Sequence, residues 1–147
     1  MERTEIAKEL FAQKCHCSQA VLAALADAIG ISQETALRLG SCFGGGMRKG
    51  EVCGACTGAL IALGLKYGMH TVGDFENQQT ADEYAKRFMT EFAAQNGSYL
   101  CRELLKVNLA NEEERQYARE HGLFTTVCPK MIESAVLLAE AFIEEQQ

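Results

Sequence analysis

Cys53-Gly54-Ala55-Cys56-Thr57-Gly58-Ala59-Leu60-Ile61-Ala62-Leu63-Gly64-Leu65-Lys66-Tyr67 is the stretch whose reading decides the fold. It opens on a CxxC spacing, which in a thioredoxin-like protein starts a helix after a strand within a βαβ pattern. No convincing strand precedes it. The segment before it, Gly40-Ser41-Cys42-Phe43-Gly44-Gly45-Gly46-Met47-Arg48-Lys49-Gly50, is a glycine-rich loop. From Gly54 to Tyr67 the chain predicts an apolar helix interrupted by glycines. Each of Gly54, Gly58 and Gly64 costs about 1 kcal/mol against Ala in a helix interior. That cost predicts another backbone or a bound group packed closely there, the backbone coming from this chain or from a homodimer partner.

Working outward, the rest of the chain predicts helices too. It is rich in Ala, Leu and Glu and has a single proline. Ile6, Leu10 and Phe11 predict a helix over residues 5–14, and Val21, Leu22, Leu25 and Ile29 another over 18–29, stopped by Gly30. Ser32 is placed to cap a helix ending at Leu39. Tyr84, Phe88 and Phe92 recur every four positions and predict a helix near 78–94, ended by Gly97. Ser98 caps a segment through Val107, and Asn111-x-x-Glu114 opens another. Pro129 suits the first position of a last helix reaching about Glu145. The expected fold is all-α, a single-domain bundle of six to eight helices over 1–147 with one glycine-rich loop.

Charge and length narrow the function. A chain of 147 residues can bury roughly 68–70% of its unfolded surface, so its core needs no disulfides. With 14 Lys and Arg against 20 Asp and Glu, the net charge is −6 and basic clusters are missing, which argues against nucleic-acid binding. No apolar run approaches the ~20 residues that span a bilayer, and the charged N-terminus lacks a signal peptide's apolar run. A cytoplasmic, reducing setting is expected, where cysteines serve redox or metal chemistry more than permanent disulfides.

Seven cysteines make that expectation matter. Cys17, Cys53, Cys101 and Cys128 fall at or within a turn of four predicted helix N-termini. Unpaired N–H groups there carry about half a positive charge and favour a thiolate, which is both nucleophile and metal ligand. His16, between Cys15 and Cys17, is the one histidine placed to be a ligand, though a solvated helix-end histidine is the simpler reading. Cys56 reads as a small buried apolar residue. The loop is neither a P-loop nor a dinucleotide-binding turn.

These residues resemble a known family. Cys17-Ser18-Gln19-Ala20-Val21-Leu22, Phe43-Gly44-Gly45-Gly46-Met47, Cys53-Gly54-Ala55-x-x-Gly58, Cys101-Arg102-Glu103-Leu104-Leu105 and Cys128-Pro129 are similar, in order, to the motifs of the prokaryotic C_GCAxxG_C_C family of redox-active proteins. The resemblance implies that Cys17, Cys53, Cys101 and Cys128 are the shared set, leaving Cys15, Cys42 and Cys56 without an assigned role. A similar domain is attached to haem-bearing electron-transfer proteins, where it is associated with an iron–sulfur cluster. By that resemblance the four cysteines converge on a [2Fe–2S] centre, despite spacings much wider than compact ferredoxin runs.

Three readings follow: a cluster-binding electron carrier with a protein redox partner, a metal-free thiol–disulfide oxidoreductase with Cys53 as catalytic thiolate, and a helical domain stabilised by zinc or disulfides without turnover.

Overall fold

Apolar periodicity and end signals place most helices where the sequence predicts them. The computed structural model describes residues 1–145. Its helices are α1 (Arg3–Ala12), α2 (Cys17–Ile29), α3 (Gln33–Leu39), α4 (Gly54–Tyr67), α5 (Phe75–Asn96), α6 (Cys101–Leu105), α7 (Glu112–Glu120), α8 (Leu123–Thr126) and α9 (Cys128–Glu144). The fold is all-α, with one helix more than the upper expectation: α8, four residues long and too short for periodicity to reveal.

End chemistry explains the boundaries. Gly30 and Gly97 close α2 and α5 in the left-handed region, at φ 74° and 92°, where a side chain would be strained. The Ser32 hydroxyl accepts from the Thr35 N–H, and the Asn111 side chain from the Glu114 N–H. Ser98 behaves differently from its expected role. Its hydroxyl accepts from the Leu100 N–H in a local turn, and α6 begins only at Cys101. At α9, Cys128 is the first helical residue rather than the cap, so Pro129 stands second.

Helix α2 is the centre of the bundle, packed on α1, α3, α4 and α9, with its most extensive contact on α4. Val21, Leu22 and Leu25 are fully buried, as are Phe88 and Phe92 from α5 and Ile132 and Val136 from α9. Tyr84 is buried and stacks on Tyr67 at 4.1 Å between ring centroids. The glycine spacing of α4 has a specific cause. A Cβ at Gly58 would come within 2.6 Å of the Ser18 carbonyl oxygen, so α4 and α2 touch backbone to backbone within the chain. Among the described residues, Gly64 meets nothing within 4 Å, and the expected close neighbour is missing there.

A second, smaller apolar cluster lies apart from the main one. Cys101, Leu105, Leu109 and Ala118 form it, with Phe124, Val127 and Cys128 packed against it. One antiparallel pair, Val52 with Leu100, joins the loop before α4 to the start of this region. The Cys53 N–H donates to the Tyr99 carbonyl at 2.8 Å, and the Cys101 N–H to the Glu51 carbonyl at 2.7 Å.

Candidate redox site: four cysteines on one cavity

All four cysteines of the expected set line a single cavity of about 600 Å³. Each stands at a helix start: Cys17 first in α2, Cys53 at the N-cap of α4, Cys101 first in α6 and Cys128 first in α9. Alternation along the backbone pair puts Cys53 and Cys101 on the same face, flanking Val52 and Leu100. Cys53 belongs to the main core and Cys17 packs against it, whereas Cys101 belongs to the smaller cluster and Cys128 packs against that one. The cavity is the seam between the two.

Local geometry accounts for the glycines around the first pair. A Cβ at Gly54 would lie 2.5 Å from the Cys17 Sγ, so only glycine leaves room for that sulfur beside Cys53. The thiols of Cys17 and Cys53 lie close enough to shift each other's ionisation, and the Gly45 and Ser18 backbone groups favour the charged form of Cys17. The Ser18 side chain, wholly buried, donates to the Gly40 carbonyl at 2.6 Å, which pins the start of α2. Gly45 belongs to an unusual turn: Gly45, Gly46, Met47 and Arg48 all have φ between 59° and 64°. Left-handed backbone costs a non-glycine residue roughly 1–2 kcal/mol. Met47 and Arg48 bear that strain, and Arg48 lines the cavity with the thiols.

Helix N-termini alone predict easily ionised thiols, and the structure shows the opposite. The Cys17 thiol is pushed well above its ordinary range by its hydrogen bond with Cys53, by burial and by the neighbouring sulfur's charge. At Cys53 the Cys17 hydrogen bond pulls downward, but the Cys56 thiol and burial outweigh it, and the net direction is again well up. Burial raises Cys101 to about 12, with Cys17 adding to the rise and Arg48 opposing it. Burial, then Cys17 and Cys101, raise Cys128. Half a charge at a helix end loses to desolvation plus the neighbouring sulfurs. The site therefore favours thiols, a disulfide, or thiolates compensated by bound positive charge.

The remaining cysteines separate cleanly. Cys56 is fully buried in the core, its thiol against that of Cys53, as its reading as a small apolar residue anticipates. Cys15 lies on the cavity and Cys42 is exposed. His16 departs from the solvated reading: half-buried at the N-cap of α2, it lines the cavity, and burial followed by Arg48 lowers its pKa. A Cβ on Gly44 would overlap the His16 ring at 2.5 Å.

One family model, described as "Putative redox-active protein (C_GCAxxG_C_C)", matches residues 15–142 and so takes in all four helix-start cysteines. The chain belongs to the C_GCAxxG_C_C family. In this family member the Cys-Gly-Ala-x-x-Gly signature has a steric meaning: Cys53 caps α4, Gly54 admits the Cys17 sulfur and Gly58 admits the α2 backbone. No curated protein and no solved structure matches the chain.

The donor set suits an iron–sulfur cluster: four cysteines on one cavity, two from each apolar cluster. Among the described residues, no three His, Cys, Asp or Glu side chains gather closely enough to hold a single ion. A two-iron cluster takes two cysteines at each iron and needs pairs rather than one compact tetrahedron. Also among the described residues, no helix is long and apolar enough to cross a membrane.

Proposed function

We propose that this redox-active family member is an electron carrier in which Cys17 and Cys53 hold one iron, and Cys101 and Cys128 the other, of a [2Fe–2S] cluster. The observation that carries the reading is the division of four cysteines into two pairs facing one cavity. When bound, such a cluster supplies one-electron transfer at a potential set by hydrogen bonds and exposure. The chain's own part is positional. The backbone of Gly45 and Ser18 favours the charged form of Cys17, and the rung between residues 51–53 and 99–101 holds one cysteine of each pair in register. Leu105 and Leu109 keep the small-cluster side apolar and limit water. A protein redox partner would complete the function.

Anaerobic purification followed by absorption spectroscopy and iron analysis tests this. Brown protein with about two irons per chain is expected, and serine at Cys17, Cys53, Cys101 or Cys128 lowers the iron bound. Colourless, iron-free protein after anaerobic reconstitution overturns the reading.

The contact between the Cys17 and Cys53 thiols favours a second reading, metal-free thiol–disulfide exchange. There the Cys53 thiolate attacks a substrate disulfide, expels one thiolate and forms a mixed disulfide. Cys17 then displaces the second substrate thiolate, leaving a Cys17–Cys53 disulfide and a substrate reduced by two electrons. Cys53 is only 7% exposed and its thiol is held protonated, which makes it a poor attacking group and places this reading second. Its signature is a reversible loss of two hydrogens from iron-free protein, abolished by Cys53→Ser.

A further inference from the structure

The cavity that holds the cysteines also carries charge of one sign. Lys8, Lys14, Arg48, Arg115 and Arg119 line it. These are five of the 14 Lys and Arg, while none of the 20 Asp and Glu contributes to its wall among the described residues. That separation runs against the net charge of −6. Lys8 and Arg115 have partners outside the cavity, Glu133 and Glu112. Lys14, Arg48 and Arg119 pair with no carboxylate among the described residues. Lys14 and Arg48 also hold left-handed backbone, at φ 80° and 61°, so strained positions present two of these cations.

Between the cations the wall is apolar. Phe11, Leu104, Leu109, Phe124 and Met131 line it. A volume of about 600 Å³ lies within the range of small-molecule sites, roughly 300–1,000 Å³. A cleft with cations of one sign and low-dielectric walls concentrates anions from solution. We infer that the cavity is a binding site for a small organic anion, a carboxylate or phosphate ester on an apolar body, seated beside the four cysteines. The apolar wall takes the body, and Lys14, Arg48 and Arg119 take the charged head. This site goes beyond the electron-carrier reading and stands whether the cysteines hold iron or cycle through a disulfide.

Isothermal titration calorimetry on the reduced full chain with 1-naphthoate, 1-naphthyl phosphate and uncharged 1-naphthamide tests the inference. At least one anion is expected to bind about tenfold tighter than the amide, or better. The double variant Arg48→Gln/Arg119→Gln is expected to abolish that advantage with its helical circular dichroism retained, whereas Lys86→Gln on the exposed side of α5 preserves it. Equal affinity for amide and anions, or an advantage that survives the double variant, overturns the inference. On protein reconstituted with iron the anion should still bind. Loss of binding on loading would assign the cations to the cysteine charges alone and overturn the inference as well. Iron content is measured separately, so the cluster reading and the anion site fail independently.

Discussion

The main bundle and the small region of α6–α8 are built to different standards. The bundle buries wide apolar faces of α2, α4, α5 and α9, with Phe88, Phe92, Leu22 and Ile132 wholly enclosed. The small region encloses Cys101, Leu105, Leu109 and Ala118, and its helices span five, nine and four residues. Helices shorter than roughly 12–15 residues are marginal in isolation, so this region depends on α9 and on the backbone rung at Val52 and Leu100 for its order. The four cysteines thus line the boundary between a densely packed frame and a thinly packed flap. The difference teaches that packing changes abruptly across the candidate site, the small region resting on the bundle through α9 and the backbone rung.

The largest effect expected on this comparison comes from cutting one core and leaving the other. Phe88→Ala should lower global stability by about 3–5 kcal/mol, read by urea denaturation. Leu109→Ala should instead free the small region: hydrogen exchange accelerates in α6 and α7 while α5 amides keep wild-type protection. If Leu109→Ala shifts the main transition as far as Phe88→Ala, the two regions are one cooperative unit and the contrast is lost.

Next in size is a contrast inside the bundle. Gly58→Ala drives a methyl into the Ser18 carbonyl and should cost about 2–3 kcal/mol. Gly64→Ala meets open space and should stabilise by about 1 kcal/mol, read as a higher thermal midpoint. A stabilising Gly58→Ala would mean that α2 and α4 are not in backbone contact.

The smallest effect concerns the clamp on the frame. Arg3 bridges Asp27 of α2 and Glu140 of α9, and its hydrogen bonds hold the Asp27 carboxyl below the usual range. A depressed carboxylate stabilises above its unfolded pKa, about 3.9, and loses that contribution as pH falls through the folded value. Asp27 is exposed, so solvent screening limits the contribution to a few tenths of a kcal/mol. Asp27→Asn should flatten the acid limb of the bundle's stability below about pH 4 and leave exchange in α6 and α7 unchanged.

Much of this architecture is legible in the residue string. Gly30, Ser32, Gly97, Asn111 and Pro129 mark helix ends through local chemistry, and Pro129 together with the apolar runs from residues 18 and 54 sets Cys128, Cys17 and Cys53 at helix starts. Gly58 is legible because a helix glycine needs a reason. Gly64 carries the same signal without the same cause, since sequence does not show which face meets a neighbour. Long-range facts stay hidden. Lys8 and Lys14, Arg48, and Arg115 and Arg119 come from three distant stretches of the chain, and only folding gathers them. The helix-end argument for easily ionised thiols fails for the same reason, because burial and the neighbouring sulfurs come from other segments.

The rung at Val52 and Leu100 carries one further consequence. Two parallel hydrogen bonds, from Cys53 to Tyr99 and from Cys101 to Glu51, resist sliding of the two segments past each other but resist rotation about them far less. It therefore works as a hinge pin: Cys53 and Cys101 stay at the axis about which α6 can turn.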